Sequence, residues 1–376
     1  MRVLLITTAY PPPPGGIQTV TRNLERTLNM YGHNVRVLHI NPDDHRALVN
    51  AHPQDYLPRT KTYYSWQGVV SADHVYLNAV YRRVQETIDN FDPDIIHAMH
   101  IKNWPALIAA KEEAIPSIVS THSLELQNES LAAIAFRDAT IVHSNSNFTS
   151  DLVDNIAVRY GVEPISTRVI HPSIDVQKYE RKDEFDLKTK RKHGPVVTMA
   201  RFVNRKNIES VIEAWKSLPQ PVRKDRDLLI VGDGEKRKIL ERIASTESDI
   251  EFLGWISEEE KVNLLNQASL FVLTPVREEY DVEGFGIVYI EAQAAKTPVI
   301  ASSYGGVPEA VGDGGDIVES ARNPSEIAKS IGEVLSNNAR YRSYVENIQE
   351  RIQLFDNMKV AEEYISVYNG LIKHNG

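Results

Sequence analysis

The first forty residues, MRVLLITTAYPPPPGGIQTVTRNLERTLNMYGHNVRVLHI (Met1–Ile40), decide the fold. Val3 to Thr7 is a short apolar run rich in branched side chains. Ile17, Val20, Leu24 and Leu28 then recur at the spacing of one helix face, and Gly32 supplies a stop. Val35 to Ile40 is apolar and β-branched again. A helix between two strands carries the chain back across the sheet, so the unit reads as parallel strands covered by helices. The same alternation continues outward. Strands are expected at Asp94 to Ala98, Ser117 to Thr121, Thr140 to His143 and Arg168 to His171. A second series follows at Pro195 to Ala200, Asp227 to Gly232, Ile250 to Leu253, Leu270 to Thr274 and Pro298 to Ala301. From Pro324 the pattern is helical to the end. Pro42 to Val80 is aromatic and without clear period, so it is given no element and stands as an insertion or loop.

With 376 residues the chain exceeds one ordinary core, since domains run to roughly 100 to 200 residues. Between Pro172 and Lys192 the alternation fades into clustered Lys and Asp, which places an interdomain linker there. The expected organisation is a Rossmann-like domain over 1–172, a second over 173–355, and a C-terminal helix over 356–376 packing back on the first. In open parallel sheets ligands sit outside the carboxyl ends of the strands, so two such domains are expected to face each other across a cleft.

Composition narrows the function. The net charge of -9 argues against a nucleic-acid partner, because a polyanion needs a positive footprint. The absence of cysteine excludes disulfides, thiolate metal sites and a cysteine nucleophile. The run Val3 to Ile6 is too short for a signal-peptide core, and Gly286 to Ala301 is interrupted by Glu291, Lys296 and Pro298. A cytoplasmic location is the expectation. The aromatic and basic stretch Tyr56 to Trp66 is a candidate for peripheral contact with a membrane, and equally an ordinary surface loop.

Three strings carry the chemistry. Pro11 to Gly16 follows the first strand and opens a helix, so Gly15 and Gly16 could bring backbone amides to an anion or simply make a tight turn. It lacks the GxGxxG spacing, which disfavours a nicotinamide enzyme. In Met199-Ala200-Arg201-Phe202-Val203-Asn204-Arg205-Lys206-Asn207, Arg201 and Lys206 stand after a strand, where a guanidinium fork and an ammonium suit a diphosphate. The third string, Asp281-Val282-Glu283-Gly284-Phe285-Gly286-Ile287-Val288-Tyr289-Ile290-Glu291-Ala292, separates Glu283 from Glu291 by eight positions around a Gly-Phe-Gly turn. Such a turn presents free helix N-terminal amides to a phosphate, while ionised carboxylates accept hydrogen bonds from sugar hydroxyls. A helix cap and a surface Glu would explain either carboxylate alone.

EGFGIVYIEA, together with Arg201, Lys206, the Gly-Gly loop and GGVPEAV at Gly305 to Val311, resembles the retaining glycosyltransferase family 4 of the GT-B fold over nearly the full length. PPPPGGIQ, STHSLE and DVEGFGIVYIEAQA look most similar to GDP-mannose-dependent phosphatidylinositol mannosyltransferases. The resemblance implies that Arg201 and Lys206 neutralise the donor diphosphate and that Gly284, Phe285 and Gly286 give it amides. It also implies that Glu283 contacts the transferred sugar, that Glu291 binds the ribose, and that Gly16 lies beside the phosphates across the cleft. His122, in Ser120-Thr121-His122-Ser123, matches the family's active-site histidine, which contacts the transferred sugar. Leu253 and Trp255 are candidates for lining the base pocket.

The implied activity is retaining transfer of a hexose from a nucleotide sugar to a glycan or lipid-linked acceptor, mannose from GDP-mannose first. A UDP-sugar donor or a sugar-nucleotide 2-epimerase of the same fold are the alternatives. No obligatory cofactor or metal is implied, and the Asp92-Pro93-Asp94 triplet precedes a strand, at the wrong end for a metal grip. Two positions depart from the pattern. Leu124 stands where a second histidine is frequent, which leaves the acceptor contacts open, and Asn207 stands where glycine is frequent.

Overall fold

The computed structural model describes residues 1–10, 15–40, 73–162, 165–180, 187–278 and 281–375. The Tyr56 to Trp66 stretch, most of the expected insertion and the four prolines of the first loop lie outside them.

The chain divides into two compact units. Unit 1 comprises 1–145, 149–170 and 361–376, and unit 2 comprises 146–148 and 171–360. In unit 1, β1 (Arg2–Thr7), β2 (Asn34–His39), β3 (Ile95–Ala98), β4 (Ser117–Thr121), β5 (Ile141–Ser144) and β6 (Thr167–Val169) form one parallel sheet in the order β2-β1-β3-β4-β5-β6. In unit 2, β7 (Val196–Met199), β8 (Leu228–Val231), β9 (Ile250–Gly254), β10 (Leu270–Leu273), β11 (Val299–Ser302) and β12 (Gly315–Val318) form a second, in the order β12-β11-β10-β7-β8-β9. The eleven strands expected from the sequence all form, their ends shifted by one or two residues. β12 is the addition: Gly-Asp-Ile-Val is too short and too polar to announce itself, and its pairing with β11 makes it a strand.

Helices cover both faces of each sheet, so the central strands are apolar throughout rather than alternating. Val3 to Ile6, Ile95, Ile96 and Ala98, and Leu270 to Leu273 are all fully buried. Each such Val, Leu, Ile or Phe side chain contributes about 1.5–3 kcal/mol on leaving water. The edge strand β2 is half exposed. The stretch Pro42 to Val80, given no element from the sequence, contains the start of the helix Asp73–Phe91, whose Val80 and Val84 are fully buried in unit 1.

Strand order then fixes where a ligand belongs. In unit 2 the chain moves outward from β7 to β9 and returns to β10 on the other side of β7, so the crossovers diverge between β7 and β10. The crevice outside their carboxyl ends is the topological switch point of a doubly wound sheet. In unit 1 the same divergence lies between β1 and β3.

Candidate active site

The segments leaving β7 and β10 meet at unit 2's switch point. After β7, the turn Asn204–Lys206 ends on Asn207, whose φ of 52° is left-handed, a conformation that glycine and asparagine tolerate best. Its buried amide donates to the carbonyls of Thr274 (3.0 Å) and Ala321 (2.7 Å), tying the segments after β7, β10 and β12 together. Asparagine here does what glycine could, and adds two hydrogen bonds.

This turn presents Arg205 and Lys206 to the loop after β10. Lys206 Nζ lies 2.5 Å from Glu283 Oε2, Arg205 donates to the same oxygen, and Arg205 Nε is 2.7 Å from Asp281 Oδ1. Glu283, Lys206 and Arg205 are each about 15% exposed, at 16%, 14% and 16%. Burial alone would raise the Glu283 carboxyl, but Lys206 and Arg205 outweigh it and hold the group down at about 2. Burial lowers Lys206, with Glu283 opposing. Both cations sit on Oε2; Oε1 has no hydrogen-bond or ion-pair partner among the described residues. One oxygen is neutralised and the other stays available as an acceptor.

Gly284, Phe285 and Gly286 lead into the helix Ile287–Ala294. Gly286, at φ 96°, is its N-cap, and no side chain among the described residues caps the helix start. The facing loop explains the second Gly-Gly pair: Gly306 donates its amide to the Glu283 carbonyl at 3.0 Å, and a Cβ on Gly306 would stand 1.9 Å from the Gly284 carbonyl oxygen. One helical turn on, Glu291 is buried and receives Lys261 Nζ at 2.6 Å. Burial lowers Lys261, but Glu291 and Glu258 pull it above its ordinary value.

The other expected residues of unit 2 are placed differently. Arg201 is exposed, with no ion pair among the described residues. Leu253 is half-buried against the unit's core, and Trp255 is 57% exposed just past the edge strand β9. Sequence reasoning passed over Arg205 and Lys261. Arg205 lies inside the quoted string beside Lys206, whereas nothing local singles out Lys261. It also passed over Glu309, in the helix Val307–Val311, which accepts from the Asn147 amide and side chain (2.8 Å each), the Phe148 amide (3.0 Å) and His171 Nε2 (3.2 Å). Burial opposes, but these donors hold Glu309 down at about 2.

In unit 1, Gly15 and Gly16 start the helix Gly16–Met30, again with no side-chain cap among the described residues. His122 follows β4. Its Nε2 is 2.9 Å from the Met99 carbonyl, at the end of β3, and its amide donates to Glu125 Oε1 at 2.5 Å. A carbonyl only accepts, so Nε2 carries a proton. The next residue, Ser123, is held at φ 98°, a strained conformation of the kind found at functional sites. His100 lies nearby, pushed down to about 4 by burial with Glu125 opposing, so it is neutral at pH 7. Among the described residues no cluster of three or more His, Asp or Glu is placed to hold a metal ion, and no helix is long and apolar enough to cross a membrane.

Residues 14–178 match the family model described as Glycosyltransferase Family 4, and residues 180–351 match Glycosyl transferases group 1. With the two doubly wound units, these matches mean that the chain belongs to the family 4 glycosyltransferases of GT-B fold. The GDP-mannose-dependent monoacylated alpha-(1-6)-phosphatidylinositol monomannoside mannosyltransferase of Corynebacterium glutamicum is 37% identical over 153 residues, and this match spans 39% of each chain. The phosphatidyl-myo-inositol mannosyltransferase of Mycolicibacterium smegmatis is 25% identical over 94% of this chain and 90% of its own. The crystal structure of Anabaena HepE in complex with UDP superposes with a TM-score of 0.72 at 18% identity, covering 99% of this chain and 100% of that one, a likeness of fold.

Proposed function

We propose that this glycosyltransferase moves a hexose, with retention, from a nucleotide sugar to a glycan or lipid-linked acceptor, and that its donor is GDP-mannose. The observation that carries the reading is Glu283, beside the helix start at the switch point of unit 2, with one oxygen neutralised by Lys206 and Arg205 and, among the described residues, no partner on the other and no side-chain cap on the helix. Glu283 Oε1 accepts from hydroxyls of the transferred sugar. The amides of Gly284 to Gly286, with Lys206, Arg205 and the exposed Arg201, meet the diphosphate. Glu291, paired with Lys261 at 2.6 Å, accepts from the ribose hydroxyls, and Leu253 and Trp255 line the base site. In unit 1, which takes the acceptor, the Gly15-Gly16 helix start and His122 are the groups assigned to the phosphates and the sugar. The relatives named as mannosyltransferases favour mannose and a lipid-linked acceptor. A cytoplasmic setting with peripheral membrane contact fits such an acceptor.

In the reaction the acceptor oxygen bonds to the anomeric carbon, the bond from that carbon to the diphosphate oxygen breaks, and the acceptor proton passes to the departing phosphate. Charge building on that phosphate is what fixed cations and amides stabilise. A carboxyl held at about 2 is a weak base and is committed to two cations, so Glu283 binds hydroxyls rather than acting as general base or nucleophile.

The test is a panel of GDP- and UDP-sugars screened for thermal stabilisation, followed by turnover in wild type and Lys206→Ala. GDP-mannose should raise the unfolding temperature most, and Lys206→Ala should lower kcat by about 100-fold or more. Equal rates would refute the diphosphate role. Stabilisation by a UDP-sugar alone would move the donor to that class. Conversion of donor without any acceptor would indicate an epimerase.

A further inference from the structure

We propose that Ser146 and His171 are positioning residues that hold the turn Gly284–Phe285–Gly286 in its phosphate-binding shape; this rests on the donor reading above. Glycine on both sides leaves Phe285 in a segment with little conformational preference of its own, and Gly286 already stands at φ 96°. Amides serve a developing charge only if their direction is set beforehand, so something outside the loop has to fix it.

Two contacts do so. Ser146, fully buried, donates its hydroxyl to the Gly284 carbonyl at 2.7 Å, which orients the peptide entering Phe285. The His171 ring packs against Phe285 with ring centres 5.3 Å apart, and both rings pack on Phe355, at 5.7 Å and 5.8 Å. Phe285 and Phe355 are almost wholly buried, so the His171 ring is one wall of the slot that seats Phe285. His171 is itself fixed, its Nε2 3.2 Å from Glu309 Oε2. That carboxylate also takes the amides of Asn147 and Phe148, the two residues after Ser146. One acid therefore secures both anchors. Ser146 and His171 both belong to unit 2, although most of the chain between them, Thr149–Ile170, belongs to unit 1. Their roles are consequently invisible to any local reading of the sequence.

The experiment compares wild type with Ser146→Ala, His171→Ala, His171→Phe and Lys206→Ala. It uses the affinity for GDP and for UDP by calorimetry, steady-state KM for donor and acceptor, and the unfolding temperature without ligand. Ser146→Ala and His171→Ala should each weaken nucleotide binding and raise the donor KM about five- to tenfold, the size of one lost anchoring interaction, with acceptor KM unchanged. His171→Phe keeps the wall of the slot and should restore most of the affinity. A lower unfolding temperature with nucleotide affinity and donor KM unchanged would show a merely structural role and overturn the inference. Should His171→Ala not fold, Ser146→Ala and His171→Phe decide in the same way. Lys206→Ala separates the two readings. If it too leaves nucleotide affinity unchanged, the donor reading fails and this one with it; if it alone weakens binding, only the positioning role fails.

Discussion

Glu283 illustrates how little a buried acid says until its partners are known. With Lys206 and Arg205 on the same oxygen, the group is an ion-pair hub rather than an acid-base catalyst. Removing one partner leaves buried charge short of compensation, which is costlier than never having built the pair. Lys206→Met should therefore lower the unfolding free energy by about 3 kcal/mol in urea titrations, the low end of the roughly 3–5 kcal/mol for breaking a buried pair, because Arg205 remains. Glu291 makes a separate claim. If it binds ribose hydroxyls, Glu291→Gln should weaken nucleotide binding roughly tenfold through loss of a charge-assisted hydrogen bond, and should leave a 2′,3′-dideoxynucleotide unaffected. Equal weakening of both ligands would remove the ribose assignment. Of this chemistry the carboxylates and Lys206 were legible, because the glycines beside Glu283 and the strand before Lys206 are local signals. Arg205 was not: that it reaches Glu283 while Arg201, four residues earlier, stays exposed depends on the left-handed Asn207 and on the loop it faces.

At the scale of elements, the C-terminal helix Asn357–Asn375 is joined to the sheet of unit 1 through a buried polar chain. Tyr368 meets His97 Nδ1 at 2.7 Å, His97 Nε2 meets Ser120 at 2.7 Å, and Ser120 meets His143 Nδ1 at 2.8 Å. His143 Nε2 reaches the Ile170 carbonyl at 2.9 Å and Tyr364 at 3.1 Å. The Ile170 carbonyl can only accept, so with His143 neutral every proton of the chain from Ile170 to Tyr368 is fixed in turn. His143 donates from Nε2, Ser120 donates to His143, His97 donates to Ser120, and Tyr368 donates to His97. Ser120→Ala removes the hydroxyl that joins two buried ring nitrogens and should cost about 2–4 kcal/mol by urea denaturation; a cost near zero would mean that water replaces the hydroxyl. The sequence showed the helix, through its period, and the three strands. It could not show that His97, Ser120 and His143, on three neighbouring strands, form one chain.

For the whole molecule the titrating groups divide by unit. In unit 1, burial holds His97 well below its ordinary 6.5 and His100 at about 4, so both stay neutral in the fold. The unfolded chain takes up these protons near pH 6.5, binds more of them than the fold below that value, and gains on the native state as pH falls. In unit 2, Glu283 and Glu309 sit at about 2 against an ordinary 4.5, so their stabilisation is complete above 4.5 and is lost from there down to about 2. As far as these four groups are concerned, stability should be flat above pH 7. Unit 1 should weaken first, between 6.5 and 4, and unit 2 below 4.5. Peptide-resolved hydrogen exchange across this range checks the order, and simultaneous loss in both units would contradict it.

The sequence by itself determined the twofold parallel α/β architecture and the strings that carry the chemistry. Helical spacing, apolar runs and glycine positions act over a few residues and need no distant partner. The tertiary structure decided which charges meet. Lys206 and Glu283 are 77 positions apart, and Ser146 and Gly284 are 138 apart. Such pairs are brought together by strand order, which places β10 beside β7, and by the path of the chain between the two units, neither of which any local pattern encodes.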